Sequence, residues 1–349
     1  MSDTQAKRTV LIGAGMVART HVAACADAAG VTLHGIQARS ADKAAMLAEK
    51  AGAVTGAPVK VYDSLGAVAA DGDVDFAIIL TPPDARLDII RPLAEAGKHI
   101  LLEKPMGRNA DEAREVVRLC REAGVVLGVV FQHRMREASR KAAQMVAGGD
   151  LGALGLVEIA VPWWRDQSYY DDPGRGTYAR DGGGVLISQA IHTIDLALSL
   201  AGPVKSVRAM ATTSRFHTME AEDFVAAGLH FAGGAAGSLV ASTASFPGGP
   251  ESIALHFDKA SLRLASGQLH VDWRDGRSVT FGAASGTGGG ADPMAFTHEW
   301  HQSVIEDFAA ALTEGRDPAI NGEAALAAHD LIDAITTSAR TGEITELGQ

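Results

Sequence analysis

Three features of the sequence predict an α/β fold: a doubly wound parallel sheet, then an α+β domain with a largely antiparallel open sheet. Short apolar runs alternate with Ala-rich amphipathic stretches through the first third of the chain. A glycine-rich turn joins the first such run to the first helical stretch. After Phe131 the pattern changes, and strand-like runs follow one another with hairpin signals between them.

In the first block, strands are expected at 9–12, 31–37, 59–61, 76–80, 99–103 and 125–131. Helices are expected between them at 18–29, 41–51, 64–70, 84–96 and 110–123. Gly30, Gly52, Gly97 and Gly124 stand just past four of these helices, where a left-handed cap is favoured. Strands alternating with helices imply right-handed crossovers and parallel pairing. In the second block a helix over 134–147 precedes a strand at 156–163, an irregular loop at 165–180 and a helix at 185–201. Strands follow at 204–213, 223–231, 235–245, 252–257, 261–265 and 268–273, with Gly233-Gly234 and Ser266-Gly267 as hairpin signals. A Gly-rich loop over 284–292 leads to final helices at 295–312 and 322–340. Two domains result, residues 1–130 and 131–349.

Composition narrows the function. Of 349 residues, 47% are hydrophobic and 21% charged, enough to bury a core and to exclude wholesale disorder. The net charge of −11 argues against a nucleic-acid or anionic-membrane partner, which calls for a basic face. A local pocket can still oppose that average and take an anion. Cys25 and Cys120 form no CxxC pattern and read as small buried hydrophobes. The first residues lack the apolar stretch of a secretory signal, and no apolar run reaches the roughly 20 residues of a membrane span. A soluble cytoplasmic protein is expected.

Gly13-Ala-Gly15-Met16-Val17-Ala18 follows the first strand and opens the first helix, the context a dinucleotide-binding (Rossmann) turn requires. The first glycine permits the tight turn, the second lets backbone approach a pyrophosphate, and Ala18 lets helix and strand pack closely. The helix N-terminus then offers N–H groups to the phosphates. An NAD-selective site carries an acid at the end of the second strand. Here that stretch reads Gln37-Ala38-Arg39-Ser40, with Lys43 a turn later. Cationic and hydroxyl groups stand where a 2′-phosphate would lie, which favours NADP; binding of NAD through Gln37 is the alternative.

Glu103-Lys104-Pro105 ends the fifth strand, at the edge where parallel sheets bind ligands. An ammonium there can hold a substrate hydroxyl, stabilise a developing alkoxide or exchange a proton. Further on, Asp181-Gly182-Gly183-Gly184 opens a helix carrying Ser188, Gln189, His192 and Asp195. Together with Gly13-x-Gly15-x-x-Ala18-x-x-His21, these motifs resemble the glucose–fructose oxidoreductase/inositol dehydrogenase/rhizopine-catabolism family (Gfo/Idh/MocA) over essentially the whole chain.

The resemblance implies a Rossmann domain, a C-terminal domain with an open sheet, and oxidation or reduction of sugars, cyclitols or related polyols by homodimers or homotetramers. It implies that Lys104 and His192 are catalytic, with His192 moving the proton and Lys104 supporting it. Ser188 stands where many members carry Asp, so Ser188 and Gln189 are left to hydrogen-bond substrate. The i, i+4 spacing puts Ser188 and His192 on one helix face. Thr81-Pro82 resembles the nicotinamide-side loop, and Glu103 and Lys104 complete the cofactor contacts. Gln132 and Arg134 follow the sixth strand, where the family often places an Arg near substrate. Trp163, Arg165 and Tyr178 suit sugar faces and hydroxyls, with Tyr169 and Tyr170 in the same loop. His298 and His301, at i, i+3, have the spacing to face one ion, but no third ligand is placed and no metal is expected.

The expected function is therefore an NAD(P)-dependent oxidoreductase acting on a secondary alcohol of a sugar, glycoside, nucleotide-sugar or cyclitol. An NAD-dependent glycosidase and a non-catalytic nucleotide- or sugar-sensing regulator are the competing readings on the same fold.

Overall fold

The computed structural model describes residues 6–284 and 297–348. Backbone contacts divide the chain into two units: Met1–Gly107, Asp111–Gln132 and Thr297–Leu326 in one, Arg108–Ala110, His133–Phe296 and Ala327–Gln349 in the other.

The first unit begins β1 (Lys7–Ile12), α1 (Ala18–Asp27), β2 (Val31–Gln37), α2 (Ala41–Thr55), β3 (Lys60–Tyr62) and α3 (Leu65–Ala70). It continues β4 (Phe76–Ile79), α4 (Arg86–Glu95), β5 (His99–Glu103), α5 (Ala110–Glu122) and β6 (Leu127–Val130). The strands pair in parallel in the order β3-β2-β1-β4-β5-β6. Central strands such as Phe76–Ile79 are buried along their whole length, as a parallel sheet covered on both faces requires. Register decides where chemistry can gather. Ile12 lies opposite Gln37 and Ile79, and Ile79 lies opposite Leu102. The residues after β1, β2, β4 and β5 therefore leave the sheet along one edge.

The second unit holds α6 (Glu137–Ala147), β7 (Leu154–Pro162), α7 (Gln167–Tyr170), α8 (Ile191–Ala201), β8 (Val204–Thr212), β9 (Phe224–Phe231) and β10 (Ala236–Ser242). Four more strands follow: β11 (Ser252–Phe257), β12 (Ala260–Ala265), β13 (Gln268–Trp273) and β14 (Ser278–Phe281). The nine-stranded sheet runs β14-β13-β12-β11-β7-β10-β9-β8-β15, its last strand being Thr345–Glu346. β7 and β10 pair in parallel and the other neighbours antiparallel. Burial alternates along β11, the mark of a sheet with one covered face. α8 is buried nearly all round, which its apolar sequence allows.

The structure departs from the sequence expectation in several places. The helix expected over 41–51 runs on to Thr55, so Gly52 lies inside it and Gly56, at φ +71°, is the left-handed cap. Residues 297–326 cluster with the first unit rather than with 131–349. Their helix, α9 (Glu299–Glu314), brings Phe308 within 5.2 Å of the Phe76 ring, and the bare Cα of Gly128 makes room for it. The final helix, α10 (Gly322–Thr341), runs across the division between the units. The helix expected from 134 starts at Glu137, because Gln132–Met135 forms a 3-10 turn and Arg136 is extended. The helix expected over 185–201 opens with a π turn at Leu186–Ala190. The short helix Gln167–Tyr170 and the edge strands β14 and β15 carry too little apolar pattern to be seen in sequence. Residues 285–292 of the Gly-rich loop and 295–296 of the next expected helix lie outside the described residues. Among the described residues, no helix is long and apolar enough to cross a membrane.

Candidate active site

The turn after β1 is built for a ligand. Gly13 has φ +115°, which excludes most other residues, and its N–H donates to the Gln37 carbonyl at 2.8 Å. Gly15 differs: a Cβ added there would meet nothing within 4 Å. Packing inside the protein does not demand this glycine, whereas a pyrophosphate lying on the backbone would. The first turn of α1 has no side-chain cap at Val17, so its N–H groups face outward unclaimed by a side chain. Ala18 is buried against the sheet, while Met16 is exposed. These features fit a dinucleotide. Arg39, Ser40 and Lys43 are exposed beyond β2, and Ser40 Oγ caps α2 by accepting the Lys43 N–H at 3.3 Å. Beyond β4, Thr81 Oγ1 is buried with no hydrogen-bond partner among the described residues.

Lys104 is fixed through its backbone. Its N–H donates to Glu103 Oε2 at 3.1 Å, and its carbonyl accepts from Arg86 Nη2 at 3.3 Å. The same guanidinium donates to the Thr81 carbonyl through Nε at 3.0 Å and Nη2 at 2.8 Å. Glu103 Oε1 accepts from His21 Nε2 at 2.9 Å, and His301 Nε2 lies 3.6 Å from the same oxygen. The two imidazoles meet edge to face at 5.1 Å. Burial alone would raise the Glu103 carboxyl, but the hydrogen bonds from His21 and His301 outweigh it and hold it well below its usual range. Burial pushes Arg86 down to about 10, against the pull of Glu103 and Asp84. Burial also lowers His301, opposed by its bond to Glu103 and reinforced by the charges of His21 and Lys104.

His21, Glu103 and His301 offer donor atoms within 4.8 Å of one another, spacing a metal ion could use. Both Glu103 oxygens are already engaged, and we describe the group as a hydrogen-bonded cluster. The sequence pair His298 and His301 does not converge: His298 Nε2 goes to Asp27 Oδ2 at 2.8 Å, and His301 turns inward to Glu103.

In the second unit the three glycines make a close approach possible. A Cβ on Gly184 would lie 1.8 Å from the Glu222 carbonyl oxygen, and one on Gly182 would lie 2.2 Å from that of Arg108. The Glu222 carboxylate accepts the N–H groups of Gly184 at 3.2 Å and Leu186 at 3.1 Å, satisfying the start of the π turn. Burial raises its carboxyl in spite of these bonds. The turn delivers His192 into a buried position, where its ring stacks on His133 at 4.8 Å and 26°. π turns of this kind are frequent at functional sites.

Around this helix, Gln189 Nε2 donates to Tyr169 Oη at 3.3 Å. The Arg165 guanidinium sits 5.3 Å from the Trp163 ring and 5.7 Å from that of Tyr169. Its backbone is held in turn, since His217 lies between Asp223 (2.7 Å) and the Arg165 carbonyl (2.8 Å). Trp163 Nε1 and Gln189 Oε1 are buried with no hydrogen-bond partner among the described residues. Buried polar atoms are rarely left so, and a ligand hydroxyl or a water would satisfy them. Ser188 is half-buried on the same segment.

Two of the expected substrate residues have other surroundings than the rest. Arg134 Nε and Nη2 both bind Asp195, at 2.7 and 2.5 Å. Tyr178 stands 46% exposed beside Gly183 rather than joining Tyr169. Gln132 is buried at the end of the first unit, with Oε1 lacking a partner among the described residues. In sequence, Arg86 and His133 carry no assigned role, and His301 is weighed only with His298 as an ion ligand, not as a partner of Glu103. Arg86, Ile89, Ile90 and Leu93 form one apolar helix stripe, as do His301, Val304, Ile305 and Phe308. A polar residue on such a stripe was the available signal.

Comparison with known proteins agrees with this geometry. Residues 7–131 match the family described as oxidoreductases with an NAD-binding Rossmann fold, and residues 139–263 match the GFO/IDH/MocA C-terminal domain. Inositol 2-dehydrogenase of Rhizobium meliloti (strain 1021) is 29% identical over 340 residues, 94% of this chain and 95% of its own. D-xylose 1-dehydrogenase (NADP(+)) 2 of Haloferax volcanii is 28% identical, covering 89% and 91%. Among solved structures, the WlbA dehydrogenase from Bordetella pertussis, in complex with NADH and UDP-GlcNAcA, is 28% identical with a TM-score of 0.80 over 99% of this chain and 100% of that one. Both halves of the chain thus carry the same assignment, and the protein is a member of the GFO/IDH/MocA family of oxidoreductases.

Proposed function

We propose that this protein transfers hydride between a nicotinamide cofactor and a secondary alcohol carbon of a sugar, glycoside, nucleotide-sugar or cyclitol. The observation that carries the reading lies in the first unit. An open glycine turn and the Lys104 loop leave the same edge of one parallel sheet. The named activities of the inositol and xylose relatives, and the UDP-GlcNAcA in the WlbA dehydrogenase complex, support a polyhydroxylated ring as substrate.

Bound nicotinamide supplies the hydride acceptor or donor. Gly13, Gly15 and Val17 hold its pyrophosphate, and Thr81, Pro82 and Glu103 border its ring. Arg39, Ser40 and Lys43 take a 2′-phosphate, so NADP is favoured over NAD; the absence of an acid at Ala38 supports this. Lys104 holds the reacting hydroxyl and stabilises its developing alkoxide. His192 moves the proton, the imidazole being able both to accept and to donate one. Gln189, Ser188, Trp163 and Arg165 bind the remaining hydroxyls.

A panel of inositols, aldoses, uronates, anhydrosugars and UDP-sugars, offered with each cofactor and followed by nicotinamide absorbance, tests the reading. Turnover of a polyol by the wild type and its loss in Lys104→Ala are expected. Tight NADH binding with no turnover across the panel would overturn it in favour of a sensor.

A further inference from the structure

We infer that Arg86, together with the His21–Glu103–His301 cluster, positions Lys104 for its reaction. The inference rests on the catalytic reading of Lys104 given above.

Arg86 and Glu103 hold both polar atoms of the Lys104 backbone. Glu103 takes the N–H and Arg86 the carbonyl. Arg86 also holds Thr81, so one planar group ties together the loops that end β4 and β5. A guanidinium can do this because its donors lie in a rigid fork; an ammonium has no such geometry. Glu103 is fixed in turn by His21 from α1 and His301 from α9. The helix that opens at the glycine turn is thereby joined to the end of β5, just before Lys104.

Stability alone does not explain this set. Arg86, His21, Glu103 and His301 are all buried, and three of them occupy apolar helix stripes. Buried ion pairs can often be replaced by packed hydrophobes at no loss of stability. What apolar residues cannot do is bond the backbone of Lys104 and Thr81 or set the field at the Lys104 ammonium. The charged and titratable groups facing this region are Arg86 from α4, His21 from α1, Glu103 from β5 and His301 from α9, with Asp84 acting on Arg86.

Lys104 reactivity reports position without needing a substrate. Full-length wild type, Arg86→Gln, Arg86→Lys and Glu103→Gln are labelled with trace acetic anhydride between about pH 7 and 10, and modification is read by mass spectrometry. Exposed Lys205 is the internal control, while thermal melts and NADH fluorescence titrations confirm folding. Arg86→Gln and Glu103→Gln should shift the pH midpoint of Lys104 labelling and change its rate at least about threefold, with Arg86→Lys between them and wild type. Lys205 should be unchanged. An unchanged Lys104 profile in variants that melt cooperatively and bind NADH would overturn the inference, as would failure of all three to fold. Failure of the catalytic reading is separate: it shows as undiminished turnover in Lys104→Ala, whatever the labelling gives.

Discussion

Arg134 clasps Asp195 with two guanidinium nitrogens, at 2.7 and 2.5 Å, and Asp195 is all but inaccessible to solvent. Burial pushes the Asp195 carboxyl up to about 6 from its usual 3.8, even against the pull of Arg134. A carboxyl raised on folding favours the folded state below its unfolded pKa, and that contribution is lost as pH rises through about 6. Removing the guanidinium leaves the carboxylate buried and unopposed. Arg134→Ala should therefore destabilise the protein by about 3 kcal/mol at pH 8. The loss should shrink at pH 5, where a proton can replace the missing cation. Melting curves at both values check this, and an equal loss at each would refute it.

The two glycine motifs make opposite predictions. Gly184→Ala drives a methyl into the Glu222 backbone, so it should cost several kcal/mol or abolish soluble expression. Gly15→Ala meets nothing in the protein and should leave the melting temperature without nucleotide near that of wild type. It should nevertheless weaken NADH binding at least about tenfold, because the methyl occupies the approach to the backbone. Unchanged NADH affinity in Gly15→Ala would remove the turn from the cofactor site.

These contrasts show what was legible in sequence. Gly13 to Ala18 and Glu103-Lys104 are local signals, since turn geometry and strand ends are set within a few residues. The parallel pairing of the first sheet followed from the alternation of strands and helices, whereas its strand order did not. Arg86 over Lys104 and His301 beside Glu103 are long-range meetings, and no local pattern names the partner. Asp195 illustrates the same limit. Its partner is Arg134, a residue from a different segment, which no spacing within its own helix names. The π turn at Leu186–Ala190 was equally hidden, because it depends on Glu222 accepting its first N–H groups.

The proposed preference for NADP rests on an exposed side chain, so it can be tested at little structural cost. Arg39 lies beyond β2 on the surface, so Arg39→Ala should leave stability within about 0.5 kcal/mol. It should lower kcat/KM for NADP about tenfold or more and change that for NAD little, since the lost contact is to the 2′-phosphate alone. The ratio of the two specificity constants is the measurement. A wild-type preference for NAD, or an equal fall with both cofactors, would show that Arg39 does not read the phosphate.

His192 offers the sharpest test in the second unit. It is buried and stacked on His133, so the ring is held in one orientation on a helix that begins with an unusual turn. A general acid or base so placed contributes about 10²-fold or more to turnover. His192→Ala should lower kcat by that factor while leaving NADH affinity unchanged, because the residues assigned to the nucleotide belong to the other unit. His133→Ala removes the stacking partner and should cost much less in kcat. If both variants lose activity in parallel with their melting temperatures, His192 is a packing residue. If kcat for His192→Ala falls at full stability and its remaining activity loses the pH dependence of wild type, the imidazole carries the proton.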